Sequence, residues 1–412
     1  MTLATANARR SPSPKQALIA SASGYAMDGF DLLILGFMLP MISQGLGLTS
    51  SQAGSLVTWT LFGAVMGGII FGQLSDKYGR IKMLSVSILM FSLFTGLCAI
   101  AQGYWDLLTY RTLAGVGLGG EFGIGMSLVA EVWPKSQRNR ASSYVGVGWQ
   151  AGVLAAAILT PLLLPFIGWR GMFVVGLIPA LTAFFIRQRI GEPVVFKQSQ
   201  HDTMSYKDRF NQLFKDSKTA RSSIGVVILT SVQNFGYYGI MIWMPSYLSK
   251  QHGLSLNASG AWTAFTVVGM TLGIWLFGWF ADKFGRWKVF LCYQLGAAVM
   301  VLLYSQLNVA SEMLIAGAVM GMFVNGMMGG YGALISDLYP VEARATAQNV
   351  LFNIGRGVGG FGPFIVGAVA GESSFSTAIA LLASIYIVAM CATLFLLPKH
   401  SAIDLEQANV LQ

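Results

Sequence analysis

Twelve apolar stretches, each long enough at ~17–25 residues to cross a bilayer as a helix, leave this chain few ways to fold. They cover 15–44, 52–74, 81–101, 104–128, 141–166, 170–188, 221–249, 259–281, 288–308, 311–335, 343–370 and 373–397. The runs are continuous and do not alternate, which excludes a β-barrel. Composition agrees: 54% of the 412 residues are hydrophobic and 10% charged, with a mean hydropathy of +0.62, whereas soluble chains carry about 25% charged residues. The expected fold is an all-α integral membrane protein of twelve transmembrane helices.

The net charge of +9 is a topology signal and not a nucleic-acid signal. With the gaps numbered from a cytoplasmic N-terminus, all but four of the 26 Lys and Arg fall in the tails or at the even-numbered gaps. Arg170 and Lys250 lie on the opposite side, and Arg111 and Arg356 lie inside spans. This asymmetry places both termini in the cytoplasm. Cys98, Cys292 and Cys391 fall within spans at no metal-binding spacing, so neither a disulfide nor a metal site is expected. The hydrophobic stretch behind the N-terminal tail is too long and too acidic for a cleaved signal peptide.

An internal repeat organises the chain. GQLSDKYGRIK at 72–82 returns as GWFADKFGRWK at 278–288, and EVWPKSQR at 131–138 returns as DLYPVEAR at 337–344, both offset by 206. Two six-helix bundles follow, 15–188 and 221–398. A cytoplasmic tail at 1–14, a polar cytoplasmic linker at 189–220 with amphipathic-helix character in parts, and a cytoplasmic tail at 399–412 complete the division.

Over nearly its whole length the chain resembles the major facilitator superfamily, on the strength of the doubled G-x-L-S-D-K-x-G-R-x-K pattern. DGFD at 28–31 is similar to the aromatic-acid:proton symporters, while RTLAGVGLGGEFGIG at 111–125 and AEVWPKSQRNRAS at 130–142 are closer to the sialate and related organic-acid:proton symporters. Glu121 departs from the small or apolar residue expected of the first group. GPFIVG at 362–367 only faintly resembles the antiporter motif and lies in the eleventh span, which argues against drug efflux.

The resemblance implies a cytoplasmic latch. Gly72 permits close helix approach and Gly79 a tight turn. Asp76 can meet Arg80 or the positive N-terminus of another helix, and Asp282 with Arg286 repeats the arrangement. Glu131 with Arg138, and Asp337 with Arg344, would extend each latch. As exposed pairs, each would contribute under ~1 kcal/mol.

Deep in the spans stand Asp28, Asp31, Arg111, Glu121 and Arg356. A carboxylate at mid-bilayer costs at least ~2.5–3.5 kcal/mol, so such groups are functional by default. Asp28 and Asp31 lie one turn apart on one face of the first helix. Two close carboxylates in low dielectric should not both ionise, so one stays protonated. Asp31 is read as proton carrier and Asp28 as its modulator, against helix packing or a structural hydrogen bond. Arg111 is either part of proton transfer or a structural charge bonded to helix 1. Glu121 is either a second protonatable site or the partner of a cytoplasmic arginine. Arg356 offers a bidentate fork to a substrate carboxylate, or else serves as counter-ion to Asp31, Asp28 or Glu121.

Mid-span aromatics and amides complete a candidate substrate site: Tyr25, Trp149, Gln150, Gln233, Asn234, Tyr237, Tyr238, Trp243, Asn325, Asn349 and Asn353. Aromatic faces with amide edges suit a planar, conjugated acid. His201, His252 and His400 all lie outside the spans, and neither HExxH nor GxSxG nor a phosphate-binding Gly-rich loop occurs, so neither an enzyme nor an ATP-driven pump is expected. The expected activity is proton-coupled import of an organic-acid anion, an aromatic acid or a ring-cleavage acid such as muconate, across the inner membrane by alternating access. Sialic acid or a short hydroxy acid is the alternative cargo. No cofactor is expected beyond the coupling proton. The expected partners are a small carboxylate, protons and membrane lipid, without nucleic acid, for a monomeric protein.

Overall fold

The computed structural model describes residues 11–178, 181, 190–194, 205–253 and 256–399. Residues 1–10 of the N-terminal tail, most of 182–204 and the C-terminal 400–412 lie outside the described residues, as does the side chain of Trp243.

Helix α1 (Pro14–Leu46) opens on a reciprocal cap: Ser13 Oγ accepts from the Gln16 N–H and Gln16 Oε1 accepts from the Ser13 N–H. Thr49 and Gln52 repeat the device at α2 (Ser50–Tyr78). The chain turns at Gly79, φ +114°, into α3 (Arg80–Leu97), a backbone region that suits glycine. Then come α4 (Tyr104–Leu118), α5 (Glu121–Val132) and α6 (Arg138–Val175), the last being two helical segments that meet at Gly168. The linker contributes a short α7 (Tyr206–Asn211).

The second half runs α8 (Ser217–His252), α9 (Leu256–Phe284), α10 (Arg286–Gln306), α11 (Ala310–Gly326), α12 (Met328–Leu338), α13 (Arg344–Gly359), α14 (Gly362–Glu372) and α15 (Phe375–Leu396). Gly285, φ +89°, makes the α9–α10 turn at the position 206 residues after Gly79.

Ten segments among the described residues are long and apolar enough to cross a membrane. The expected 170–188 span is only partly described, and the expected 343–370 span is divided at Gly360 and Phe361 into α13 and α14. Two further spans are interrupted in mid-course, at Gly119–Gly120 and at Met327. These interruptions fall at corresponding places in the two repeats.

By contact the chain resolves into two units. One comprises residues up to Lys135, Ala151–Gln212 and Tyr339–Asn353; the other comprises Ser136–Gln150, Leu213–Leu338 and residues from Ile354. The starts of α6 and α13 therefore belong to units other than a division at 15–188 and 221–398 would assign them to.

Within the first unit, Gly63 and Gly67 of α2 press against the backbone oxygens of Thr112 and Val116 on α4, leaving no room for a Cβ. Within the second, Gly269 and Gly273 of α9 press in the same way on Ala318 and Met322 of α11. All four residue pairs obey the 206 offset. Small residues that let backbones approach are how helices pack in lipid, where apolar contact alone gives no preference over the lipid tails. Outward faces carry Trp59, Phe62 and Ile70 on α2 and Leu89 and Leu93 on α3, as a hydrocarbon solvent requires.

Candidate functional site

The first unit buries a charge pair. Asp31 of α1, 2% exposed, accepts from both terminal nitrogens of Arg111 on α4, at 3.3 and 2.9 Å, and from the Thr95 hydroxyl of α3 at 2.7 Å. A fork and a hydroxyl on one carboxylate are the geometry that makes an ion pair viable away from water. Asp28, one turn earlier, is fully buried.

Glu121 begins α5 immediately after the Gly119–Gly120 interruption. The Ser87 hydroxyl donates to its Oε1, while Oε2 has no hydrogen-bond partner among the described residues and lies where a Cβ on Gly24 would stand. Its recorded partner is thus Ser87 on α3 and not a cytoplasmic arginine. Beside it, Tyr25 packs on Phe122 with ring centroids 5.3 Å apart, and Phe122 stacks on Phe352 at 3.8 Å.

The second unit assembles the aromatic candidates around Arg356. Its guanidinium lies over the Trp149 ring, 5.2 Å from the centroid, and its Nε donates to the Tyr238 hydroxyl at 3.4 Å. Trp149 Nε1 donates to the Tyr237 hydroxyl at 3.3 Å, and the Tyr237 and Tyr238 rings meet edge to face at 5.3 Å. Gln233 Nε2 donates to Asn325 Oδ1 at 2.6 Å. Two expected members turn elsewhere. Asn234 donates to Thr230 O of its own helix, and Asn353 donates to Gly119 O and Asn349 O within the first unit, so both amides serve backbone carbonyls. Tyr25 likewise belongs to the first unit, beside Phe122.

The repeated gap motifs form two charge networks that bring in partners from far along the chain. Asp76 does meet both expected partners: Arg80 Nη1 at 2.7 Å, and the first turn of α13 through the N–H groups of Ala345 and Thr346 at 3.2 and 2.7 Å. Glu131 pairs with Arg80 at 2.9 Å. Asp337 pairs with Arg138 and with Arg286, at 3.0 Å for the latter. Asp282 meets Arg140 at 2.9 Å and Asn139, and not Arg286. Each of these carboxylates faces a helix start brought in from far along the chain. The side chains of Asp76, Arg80 and Glu131 are fully buried, so the small value expected of exposed pairs does not apply. Removing one partner of such a buried set costs about 3–5 kcal/mol.

Partners that escaped the sequence reading include Thr95, Arg140, Thr346 and Glu192. The offset could have found two of them, since Asp76 to Thr346 and Asp282 to Arg140 are the same contact in exchanged repeats. Glu192, in the linker, accepts from the N–H groups of Ile81 and Lys82 at 3.1 and 2.9 Å and so caps α3. Burial pushes its carboxyl above the ordinary value, against those hydrogen bonds.

A polytopic helical protein with a buried Asp–Arg pair in one unit and a buried arginine set among aromatics in the other has the features of a membrane transporter. The Major Facilitator Superfamily profile matches residues 21–276 and 226–409, and the chain belongs to that family. It is 64% identical over 397 residues to a Haemophilus influenzae protein provisionally named for metabolite transport, covering 94% of this chain and 98% of that one. It is 30% identical to the cis,cis-muconate transport protein of Acinetobacter baylyi, over 87% and 88% of the two chains. Its fold is similar to that of the proton:xylose symporter XylE, with a TM-score of 0.75 over 94% of this chain and 96% of that one, at 16% identity. The protein is therefore a multi-pass secondary transporter and not an enzyme.

Proposed function

We propose that the protein imports an organic-acid anion together with protons across the inner membrane, with both termini in the cytoplasm. The observation that carries this reading is the placement of Arg356 over Trp149 and beside Tyr238. A planar guanidinium backed by aromatic faces suits a carboxylate attached to a flat, conjugated body, an aromatic acid or a ring-cleavage acid of the muconate kind. The A. baylyi relative, which moves cis,cis-muconate, supports that cargo class.

Coupling is assigned to Asp31 and Arg111. Protonating Asp31 removes the charge that the Arg111 fork holds, so one proton weakens both hydrogen bonds at the junction of α1, α3 and α4. Asp28 and Glu121 are the further proton-binding groups. Asp76 at the start of α13 and Asp282 at the start of α6 act as the cytoplasmic latch: each caps a helix that must let go in every cycle. The Lys and Arg bias supports the orientation.

The test is accumulation of labelled aromatic acids and cis,cis-muconate in proteoliposomes under an imposed inward proton gradient. Uptake above equilibrium that collapses with a protonophore is expected. Equilibration without accumulation would reduce the protein to a facilitator and remove the proton from the scheme.

A further inference from the structure

Asp31 is enclosed with a cation, whereas Glu121 is enclosed without one. Glu121 is 1% exposed; the Ser87 hydroxyl donates to its Oε1, and its Oε2 has no hydrogen-bond partner among the described residues. Neutral side chains pack about the start of its helix: Phe71 of α2 beside Gly120, and Asn349 of α13 beside Gly123. Asp28 is an ionisable group close enough to act on it electrostatically. A carboxyl enclosed without a cation is costly as an anion, so it is suited to receive a proton and pass it on.

Gly24 fixes where Glu121 stands against α1. The Glu121 carboxyl fills the space that a Cβ on Gly24 would take, with Ile88 Cδ1 of α3 3.7 Å from the same point. Gly24, Asp28 and Asp31 follow at intervals of four and three residues, so they line one face of α1. At 1.5 Å per residue, Asp28 stands about 6 Å along the helix from Gly24, and Asp31 about 4.5 Å further. Helix α3 gives each end of this stripe a hydroxyl, Ser87 to Glu121 and Thr95 to Asp31. Those two hydroxyls lie about 12 Å apart along α3, which matches the length of the stripe on α1.

We infer that Asp31, Asp28 and Glu121 form one proton path in series, with Glu121 as the group that hands the coupling proton to the cytoplasmic side. Gly24 lies nearer than Asp31 to the start of α1, which is the cytoplasmic end on the orientation proposed above. The proton leaves the Asp31 carboxyl as an O–H bond forms on Asp28, and passes in the same way to the unmatched Oε2 of Glu121. From Glu121 it goes to water on the cytoplasmic side. Each transfer breaks one O–H bond and forms another, and a side-chain rotation or one bridging water spans each step. The three carboxyls then carry a single coupling proton in turn, and do not act as three separate proton sites. This inference rests on Asp31 as proton carrier and deepens that reading.

The experiment uses the full-length protein in liposomes, wild type and carrying Glu121→Gln, Glu121→Asp or Asp31→Asn. Labelled cis,cis-muconate is followed in gradient-driven uptake and in exchange with no gradient, while a trapped dye reports acidification of the lumen. Glu121→Gln should keep exchange, because loaded carriers still reorient. Its gradient-driven uptake and lumen acidification should both fall at least about tenfold, because glutamine cannot carry the proton onward. Glu121→Asp should recover part of both rates, since the carboxyl remains and only its reach shortens. Wild-type uptake and acidification in Glu121→Gln would take Glu121 off the path, and loss of exchange as well would make it a packing group; either overturns the inference. Asp31→Asn tests the underlying reading separately: accumulation retained there overturns Asp31 as carrier, whatever Glu121→Gln does. Absence of cis,cis-muconate accumulation by the wild type overturns the coupling reading and this path together.

Discussion

Arg111 and Arg356 are both buried guanidiniums at mid-span, at 0% and 2% exposure, yet they keep different company. Arg111 gives both terminal nitrogens to Asp31, so its charge is matched and its position tied to that of a titratable group. Arg356 lies over an indole face and beside a phenol. On the proposed reading one residue type serves two tasks. A cation locked to a carboxylate is suited to reporting protonation, and a cation set on aromatics is suited to gripping an anion.

Lysine substitutions separate the two tasks most sharply. Arg356→Lys keeps the charge and loses the planar fork, so substrate affinity should fall by at least about thirtyfold, ~2 kcal/mol. Arg111→Lys should leave affinity within about twofold and instead abolish accumulation driven by a pH gradient. Titration calorimetry and gradient-driven uptake on both variants check the pair; matching phenotypes would erase the distinction.

Arg80 supplies a third buried guanidinium, held by two carboxylates at a helix turn. Asp76→Asn leaves one of those carboxylates in place and weakens the cap on α13. Turnover should slow roughly tenfold, about 1.4 kcal/mol on the barrier, with binding affinity unchanged. Initial uptake rates at equal protein density, beside equilibrium binding, distinguish this gating role from either of the other two.

Trp149→Leu removes the face beneath Arg356 without touching charge. A cation–π contact of about 0.5–2 kcal/mol implies a loss of affinity of roughly two- to thirtyfold, smaller than that for Arg356→Lys. Wild-type affinity in this variant would shift the orienting role to Tyr238.

The smallest effect belongs to a carboxylate outside the spans. Glu192, raised by burial, contributes its full stability below the ordinary carboxylate range and loses it as pH climbs through the raised value. The melting temperature of the wild type relative to Glu192→Gln should therefore fall with rising pH, by roughly 2 °C in a chain of this size. A difference that does not vary with pH would show that the capped turn does not feel this proton.

The apolar helices and the twofold repeat were legible because hydropathy and motif spacing are properties of the chain itself. The interruptions at Gly119–Gly120 and Met327 were not, since a glycine in an apolar run reads equally well as close packing. Gly63 and Gly67 only pack, while Gly119 packs on Ala64 and, with Gly120, also separates two helices, and local composition does not distinguish the two cases. Candidate charges were legible because lipid makes each one conspicuous. Their partners were not: Glu131 and Arg138 are close in sequence but bond to Arg80 and Asp337, which only the tertiary fold brings near. Among the amides, Asn234 and Asn353 were read as cavity-lining, and both turn back to carbonyls of their own helices.

The central claim is that Asp31 carries the coupling proton while Arg356 holds the cargo, and Asp31→Asn tests it most directly. Asparagine mimics the protonated carboxyl in size and hydrogen bonding, and it gives Arg111 no charge to hold. Reconstituted in liposomes, this variant should exchange labelled for unlabelled substrate at close to the wild-type rate with no gradient imposed. The same liposomes should fail to accumulate substrate under an inward proton gradient. Loss of both activities would make Asp31 a binding or folding residue, and retention of both would move the proton to Asp28 or Glu121; either result contradicts the account.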